Sequence, residues 1–324
     1  MEVLHTASRL HFGLFRLAAE ECWPDAQGNE VLPARQYGGV GLMVVSPGVR
    51  VCLEDATAWS ATGPLANRAL EYARTFMDSV LQQSPDQAHR LTVEQAPPMH
   101  VGLGVGTQLG LAVAHLLARR YGLADLTAVE LAQRIGRGGR SALGIHGFAR
   151  GGFLVEAGKH GSGIAPLAAR ADFPEGWRVV LVLPPRAAGL YGEIEAQALS
   201  RVPPVSLRET DALCRLVLLG MLPALAEANA LAFGEALYDF NRRVGEWFAP
   251  VQGGVYAHTA TAAVVEYVRQ QGVGGVGQSS WGPTVFAVVA EEERAEDLAR
   301  RLRQRFGLEG GGVMVTRAAN FGAA

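Results

Sequence analysis

The sequence predicts an α+β fold in two parts, and three patterns indicate it. The start of the chain contains short β-like runs at residues 3–9, 13–17 and 39–45, which turn residues separate. In the middle of the first half, a glycine-rich loop leads directly into a strongly apolar helix. The end of the chain has the order strand, helix, strand, which suits an α+β sandwich.

Composition and charge indicate a globular protein without a nucleic-acid surface. Of its 324 residues, 49% are hydrophobic and 19% are charged, so the chain can form one large domain or two smaller ones. The net charge is -2 and the 29 basic residues are scattered, which argues against a basic patch for nucleic acid. The N-terminus has no unbroken apolar run, so we expect no signal peptide and no membrane span, and a cytoplasmic location.

The spacing of apolar residues predicts the other elements. Helices are expected at residues 65–82, 109–121, 126–135, 207–230, 232–248, 260–271 and 292–306. Strands are expected at residues 91–95, 153–157, 178–183, 284–289 and 313–317. Thr127 and Glu130 form a capping-box pattern at the start of the third helix. We take residues 164–177 as the junction of the two parts, and predict domains at residues 1–170 and 171–324.

The segment at residues 96–110, APPMHVGLGVGTQLG, has the features of an anion-binding loop. Prolines block a helix before it, and four glycines let the backbone approach a ligand closely. The helix that follows offers free N–H groups and the positive end of its dipole, and Thr107 and Gln108 can add hydrogen bonds. The same pattern also fits a packing loop between a strand and a helix. The endings and spacings of a Walker A loop and of a Rossmann loop are both missing.

The loop resembles the second sequence motif of the GHMP kinase superfamily, in which a proline stands three residues ahead of Gly-Leu-Gly-Ser-Ser-Ala. Here Pro98 precedes Gly102-Leu103-Gly104, and Val105-Gly106-Thr107 replaces the serines. The glycine-rich turn at residues 272–283 resembles the third motif, and an early β-hairpin stands at the place of the first. The resemblance implies a ribosomal S5-like N-terminal half and a ferredoxin-like C-terminal half.

One departure from the superfamily points to a branch that is not a kinase. Kinases with a catalytic base carry Asp in a Ser-Gly-x-Asp segment, whereas here Gly144 follows Ser141-Ala142-Leu143. The segments SRLHFGLF, RQYGGVGLMV, GRGGRSALGIHGFARGGF and GQSSWGPTVFAV resemble those of the β-ribofuranosylaminobenzene 5'-phosphate synthases of methanopterin biosynthesis. This implies condensation of phosphoribosyl pyrophosphate with 4-aminobenzoate or 4-hydroxybenzoate, with release of pyrophosphate and carbon dioxide. An ATP-dependent small-molecule kinase and a non-catalytic ligand sensor on the same fold are the alternatives.

The resemblance implies that the glycine loop binds the pyrophosphate, with Mg²⁺ as the cofactor. The loop residues concerned are Gly102, Leu103, Gly104, Val105, Gly106 and Thr107, with Thr107 as the metal contact. The second glycine cluster, residues 136–152, supplies Arg137, Arg140 and Arg150, because arginine pairs bidentately with phosphate or carboxylate. We expect Arg140 and His146 to take part in catalysis, His146 by binding the carboxylate or by donating a proton. Surface arginines and a structural histidine are the alternative interpretation.

Three further clusters are expected to bind substrate. They are Ser8, Arg9 and His11 near a strand end, Arg35, Gln36 and Tyr37 at a loop end, and Gln278, Ser279, Ser280 and Trp281 on the third glycine turn. Tyr37 or Phe12 would stack on the benzoate ring, although aromatic residues in sheets are more often core residues. Superfamily members are often dimers, so the resemblance also implies a homodimer.

Overall fold

The fold consists of two larger, mainly antiparallel β-sheets with helices packed on them. The computed structural model describes residues 1–16, 23–24, 27, 30–32, 35–80, 87–183, 197–308 and 311–324. In this part of the chain, a six-stranded sheet comes from the first half, a four-stranded sheet from the second, and two short strands form a sheet of their own. Helices contact both larger sheets, and the predicted α+β class is confirmed.

The N-terminal sheet is organised around one long strand. The strands of the first half are β1 (Glu2–Arg16), β2 (Trp23–Pro24), β3 (Glu30–Leu32), β4 (Tyr37–Ala56), β5 (Ser60–Thr62), β6 (Ala88–Gln95), β7 (Phe153–Glu156) and β8 (Leu167–Ala171). Strand β1 pairs with one edge of β4, and β6 and β7 share its other edge. The sequence predicted strand breaks near Gly13 and at residues 46–48. Strands β1 and β4 instead continue through these positions. The register of their pairing shifts at both places, so that the unpaired residues form β-bulges.

In the described part of the first half, four helices pack on this sheet or on each other. They are α1 (Ala66–Val80), α2 (Val105–Arg120), α3 (Ala128–Arg134) and α4 (Leu143–Arg150). Helix α2 is buried over most of its length because it lies between α1, α3, α4 and the sheet. The predicted capping box is present: the Thr127 side chain accepts from the Glu130 N–H, and the Glu130 carboxylate accepts from the Thr127 N–H.

Helix α4 lies inside the second glycine cluster, where the sequence predicted a loop. The prediction was wrong because two of these glycines serve close packing and not a turn. A Cβ atom on Gly147 would collide with the sulfur of Met43, and one on Gly144 would lie 3.3 Å from Thr107 Cγ2. Gly144 and Gly147 therefore let the helix approach both the sheet and the start of α2.

The C-terminal half forms the second sheet. Its elements are β9 (Arg178–Val182), α5 (Leu207–Arg215), α6 (Leu222–Ala226), α7 (Ala230–Gln252), α8 (Thr259–Gln270), β10 (Val276–Gln278), β11 (Val285–Val289), α9 (Glu292–Phe306) and β12 (Val313–Thr316). The strand order is β10-β11-β9-β12, with antiparallel pairs throughout. Helices α8 and α9 share one apolar core with this sheet, and α7 packs against both sheets.

The single helix predicted at residues 207–230 is divided in the structure. A π-helical turn, Leu216–Met221, separates α5 from α6. Pro223 follows this turn and has no N–H to donate to the carbonyl of Leu219, so a regular helix cannot continue through it.

The end of the chain returns to the first sheet. The Ala319 N–H donates to the Met43 carbonyl oxygen at 2.9 Å, and His5 and Ala324 exchange backbone hydrogen bonds of 2.8 and 3.2 Å. The last residues therefore pack on the N-terminal half, and the boundary between residues 170 and 171 stays a prediction. Within the described residues, no helix is long and apolar enough to cross a membrane.

Candidate functional site

The glycine loop ends where α2 begins, at Val105, which is four residues earlier than the sequence predicted. Gly104 occupies the position before the helix with φ 69° and ψ 18°, in the left-handed region that favours glycine. No side chain caps this helix N-terminus, so N–H groups of its first turn can bind a ligand, although the Thr107 N–H donates to the Gly104 carbonyl oxygen at 3.1 Å. Thr107 lies in the first turn, where its side chain faces Gly144.

The third glycine turn fixes the loop from one side. Ser279 Oγ donates to the Gly102 carbonyl oxygen at 2.6 Å, and Thr284 Oγ1 donates to the Val101 carbonyl oxygen at 2.6 Å. A Cβ atom on Gly102 would collide with the Ser279 carbonyl oxygen, and one on Gly282 would collide with the backbone of Val101. The two glycine-rich segments therefore pack backbone against backbone.

Strand β1 fixes the loop from the other side. The Arg9 N–H donates to the Leu103 carbonyl oxygen at 3.0 Å. The His11 N–H donates to Ser279 Oγ at 3.0 Å, and the Ser280 N–H donates to the His11 carbonyl oxygen at 3.0 Å. The three segments that resemble superfamily motifs thus meet at one place, although the sequence separates them widely.

Two arginines lie directly against loop glycines. A Cβ atom on Gly104 would be 3.2 Å from Arg9 Nε, and one on Gly106 would be 2.8 Å from Arg137 Nη2. Burial first, and then the neighbouring Arg68 and Arg140, lower the pKa of Arg137 to about 10. The absence of side chains at Gly104 and Gly106 makes room for cations beside the helix N-terminus.

These groups line a cavity of about 580 Å³, which we call the anion cavity. It is lined by Arg9, Arg68, Met99, His100, residues 102–107, Arg137, Arg140, Ser280, Trp281 and Gly282. Four of these residues are arginines, and none of the described lining residues is Asp or Glu. Such a cavity selects an anionic ligand, and among its described lining residues no carboxylate could accept a proton.

A second cavity of about 360 Å³ adjoins the anion cavity, and we call it the aromatic cavity. Its apolar walls come from β1, β4 and α7 and include Phe12, Leu14, Tyr37, Val244 and Phe248, together with Trp281. The described lining residues again include neither Asp nor Glu. Its size and walls suit a planar aromatic ring.

The two cavities meet at a shared wall. The residues that line both are Arg9, Thr107, Arg137, Arg140, Ser280 and Trp281. His11 lines the aromatic side of this junction and is buried. Burial, and then the Arg9 guanidinium, hold the pKa of His11 well below its ordinary value, so its imidazole is neutral at pH 7.

Most residues that the sequence singled out line one of the cavities. They are residues 102–107, Arg9, His11, Tyr37, Arg137, Arg140, Gln278, Ser280 and Trp281. Ser279 is not a lining residue but holds the loop through its hydroxyl. Gln278 also has a supporting role, because its Oε1 accepts from the Ala257 N–H at 2.8 Å.

Besides Ser279, five of the predicted residues line neither cavity. The Ser8 hydroxyl donates to the Pro47 carbonyl oxygen. Arg35 Nη1 donates to the Gly158 carbonyl oxygen at 3.1 Å, and Gln36 forms a backbone bridge with Lys159. His146 Nε2 lies 2.8 Å from the Ala165 carbonyl oxygen, and Arg150 is exposed in the last turn of α4. The structure therefore places these five residues in supporting or surface positions.

Sequence reasoning missed several lining residues, most of them on α1 and α7. Arg68 and His100 line the anion cavity, and Asn241 and Phe248 line the aromatic cavity. Asn241 Nδ2 donates to the Phe12 and Gln278 carbonyl oxygens at 2.7 and 2.9 Å, which ties α7 to β1 and β10. Arg68, Asn241 and Phe248 lie on amphipathic helices, where no motif marked them. His100 lies inside the predicted loop segment, but the sequence assigned it no role.

Comparison with solved structures defines the class of protein. Homoserine kinase from Cytophaga hutchinsonii superposes with a TM-score of 0.68 at 14% identity, and the match covers 99% of this chain and 96% of the kinase chain. L. major mevalonate kinase superposes with a TM-score of 0.67 at 12% identity, and the match covers 98% of this chain and 97% of that kinase chain. The family model "GHMP kinases C terminal" matches residues 221–308. The chain thus has the GHMP kinase fold, as the motifs predicted.

Curated relatives then define the family within this class. Beta-ribofuranosylphenol 5'-phosphate synthase from Methanothermobacter thermautotrophicus is 31% identical, covering 99% of this chain and 97% of the relative. The protein of the same name from Archaeoglobus fulgidus is also 31% identical, covering 98% and 97%. The chain belongs to the family of these synthases. The branch that the sequence segments predicted is thereby confirmed.

Proposed function

We propose that the protein joins phosphoribosyl pyrophosphate to 4-hydroxybenzoate or 4-aminobenzoate, with release of pyrophosphate and carbon dioxide, in methanopterin biosynthesis. The observation that supports this most is the junction of an arginine-lined cavity with an aromatic cavity. A donor with two anionic groups and a flat aromatic acceptor need this pair of neighbouring spaces. The names of the relatives, which specify a ribofuranosylphenol phosphate product, agree with it.

The reaction forms a carbon–carbon bond at C1 of the ribose. As pyrophosphate leaves with the electron pair of the C1–O bond, C1 acquires oxocarbenium character. The ring carbon that bears the carboxylate attacks C1, and loss of carbon dioxide returns the electron pair of that bond to the ring. The balance requires no oxidant and no carboxylate base on the protein. The enzyme must stabilise the leaving anion and keep water away from C1.

The residues at the junction suit these two tasks. Arg9 and Arg140, together with the N–H groups at the start of α2, would stabilise the leaving pyrophosphate. Phe12, Tyr37 and Phe248 would hold the aromatic ring and exclude water. We assign His146 a structural role, in which its imidazole connects α4 to the Ala165 carbonyl oxygen.

Mg²⁺ would reach this site as part of the pyrophosphate complex. Mg²⁺ prefers carboxylates together with substrate phosphates, and the described lining residues of the anion cavity offer hydroxyls and no carboxylate. Across the described chain there is no group of three or more His, Cys, Asp or Glu side chains placed to hold a metal ion. The described donors therefore do not fit a protein-held ion, and Thr107 would supply one oxygen contact.

The kinase alternative conflicts with the residue at position 144. A kinase that removes a proton from an alcohol needs a base, and the place of its aspartate is occupied by Gly144, which faces Thr107 without a side chain. A ligand sensor would need no such junction of two cavities. A homodimer and a cytoplasmic location stay predictions, and sedimentation of the purified protein tests the first.

One assay tests the proposed function. The protein is incubated with phosphoribosyl pyrophosphate, Mg²⁺ and carboxyl-labelled 4-hydroxybenzoate or 4-aminobenzoate. We expect labelled carbon dioxide in equal amount to the pyrophosphate released, and the faster acid identifies the acceptor. Absence of labelled carbon dioxide with both acids, together with ATP turnover on an alcohol, would establish the kinase alternative instead.

A further inference from the structure

Two arginines of the anion cavity contact one buried tyrosine. The guanidinium carbon of Arg68 lies 5.0 Å from the ring centroid of Tyr72, and that of Arg137 lies 5.2 Å from the same centroid. Arg137 Nη2 also donates a hydrogen bond to the Tyr72 hydroxyl. Tyr72 is 4% exposed and lies one helical turn after Arg68 on α1. The ring therefore holds two cations from different parts of the sequence at one place.

The cations of the anion cavity fall into two groups. Arg9, Arg137 and Arg140 line both cavities, whereas Arg68 and His100 line the anion cavity alone. C1 of the ribose must face the aromatic cavity, so the pyrophosphate on C1 belongs near the junction. The phosphate on C5 lies on the other side of the ribose ring oxygen from C1. It therefore needs a second anion site, further from the junction.

We propose that Arg68 and His100, with Arg137 beside them, bind the phosphate monoester at C5 of the ribose donor, and that Tyr72 is the positioning residue of this subsite. The inference rests on the proposed function for the identity of the sugar phosphate. Guanidinium groups stacked on a ring keep their edge N–H donors available for a phosphate. The subsite therefore recognises a sugar phosphate by its terminal dianion.

Electrostatics explain why a buried tyrosine is needed there. Arg68, Arg137 and Arg140 repel one another, and this repulsion contributes to the lowered pKa of Arg137. Burial, and then Arg68, lower the pKa of His100, so its imidazole is neutral and provides a hydrogen bond without adding charge. The Tyr72 ring and hydroxyl hold the arginines together before an anion arrives, and a phosphate dianion then relieves the repulsion.

Arg68 also has an acidic neighbour. Its Nη1 lies 2.6 Å from Glu71 Oε2, in an exposed ion pair on the surface of α1. Glu71 does not line the cavity, and its charge competes with a phosphate for Arg68. Removing this carboxylate should strengthen phosphate binding, which is the opposite of the effect expected from removing Arg68.

Binding of ribose 5-phosphate and of inorganic pyrophosphate, each measured by calorimetry on the full chain, tests the subsite. We expect Arg68→Gln to weaken ribose 5-phosphate binding about tenfold and to change pyrophosphate binding less than about twofold, because one charge-assisted phosphate contact is removed. Arg74→Gln, at an exposed position of the same helix, should change neither affinity. Glu71→Gln should strengthen ribose 5-phosphate binding by about twofold.

Turnover separates positioning from general stability. Tyr72→Phe keeps the buried ring and removes the hydroxyl that Arg137 contacts. We expect the KM for phosphoribosyl pyrophosphate to rise about fivefold with kcat nearly unchanged. Arg68→Lys should recover only part of the Arg68→Gln loss, because an ammonium group supplies charge without the planar fork.

Three outcomes would overturn the subsite: no binding of ribose 5-phosphate to the wild-type protein, equal weakening of both ligands by Arg68→Gln, or equal effects of Arg68→Gln and Arg74→Gln. An unchanged KM for Tyr72→Phe would remove the positioning role. These results are independent of the carbon dioxide assay. If that assay fails while ribose 5-phosphate binding depends on Arg68, the subsite stands and the proposed reaction does not.

Discussion

The hydroxyl of Ser279 donates a hydrogen bond of 2.6 Å to the carbonyl oxygen of Gly102, which lies 177 positions earlier in the chain. The same hydroxyl oxygen accepts a hydrogen bond of 3.0 Å from the backbone N–H of His11. Ser279 is fully buried, so water cannot replace either bond. One side chain thereby fixes the third glycine turn relative to the anion loop and to strand β1.

Ser279→Ala should lower both stability and donor affinity. The substitution leaves the buried Gly102 carbonyl oxygen and the His11 N–H without this partner, at a cost of about 1–3 kcal/mol each. We expect the free energy of unfolding to fall by about 2–4 kcal/mol and the KM for phosphoribosyl pyrophosphate to rise. Denaturant titration and steady-state kinetics measure the two effects. Ser280→Ala is the matched control, and an equal loss of stability in it would contradict the prediction.

Gly106→Ala should disturb Arg137 without destabilising the helix. Alanine favours a helix over glycine by about 1 kcal/mol, but its Cβ would lie 2.8 Å from Arg137 Nη2 and 3.3 Å from Met99 Cε. The guanidinium must move away from the loop. We therefore expect the KM for phosphoribosyl pyrophosphate to rise about tenfold while the thermal midpoint changes little. In an Arg137→Ala background the same substitution should have no further effect on KM, and full additivity would contradict this explanation.

Glu156 should make stability depend on pH. It is fully buried on β7, and its carboxylate accepts a hydrogen bond from the Ala142 N–H at the start of α4. Burial raises its pKa above the ordinary value of 4.5, although Ser141, the Ala142 N–H and Arg9 partly oppose this. Because the pKa is raised in the folded state, the stability from this group is complete below pH 4.5 and is lost as the pH rises through the raised pKa.

Glu156→Gln, which retains the acceptor and cannot ionise, should remove that part of the pH dependence. Thermal unfolding between pH 4 and pH 8 measures the difference between the two proteins. We expect the variant to gain stability relative to the wild type as the pH rises, at about 1.4 kcal/mol for each unit by which the pKa is raised. Parallel curves for the two proteins would mean that Glu156 has an ordinary pKa.

The sequence predicted the parts of the site whose residue types have a direct chemical meaning. The glycines and prolines of the anion loop predicted a close backbone approach, and Arg137 and Arg140 were identified because arginines among glycines suit a phosphate. Arg68 was not identified, because a single arginine on an amphipathic helix has the pattern of a surface residue. Its place in the cavity depends on how α1 packs beside the loop, which only tertiary structure determines.

The glycine clusters misled the prediction for a physical reason. Glycine is needed both where the backbone turns and where two elements pack closely, and composition does not distinguish these cases. Gly104 is in the left-handed conformation, as a loop requires, whereas Gly144 and Gly147 are helical and face Thr107 and Met43. For this reason the sequence predicted a loop where the structure has helix α4.

Arg140→Ala and His146→Gln should separate the two residues to which the sequence assigned catalysis. Arg140 lies at the junction of the cavities, where a cation would stabilise the departing pyrophosphate by about 2–4 kcal/mol in the transition state. We expect Arg140→Ala to lower kcat/KM by several hundredfold and to leave the thermal midpoint nearly unchanged. His146 contacts Ala165 outside both cavities, so His146→Gln should lower the thermal midpoint and keep most of the activity. Full activity in Arg140→Ala would show that this arginine takes no part in catalysis. Loss of kcat alone in His146→Gln would support a catalytic role for His146.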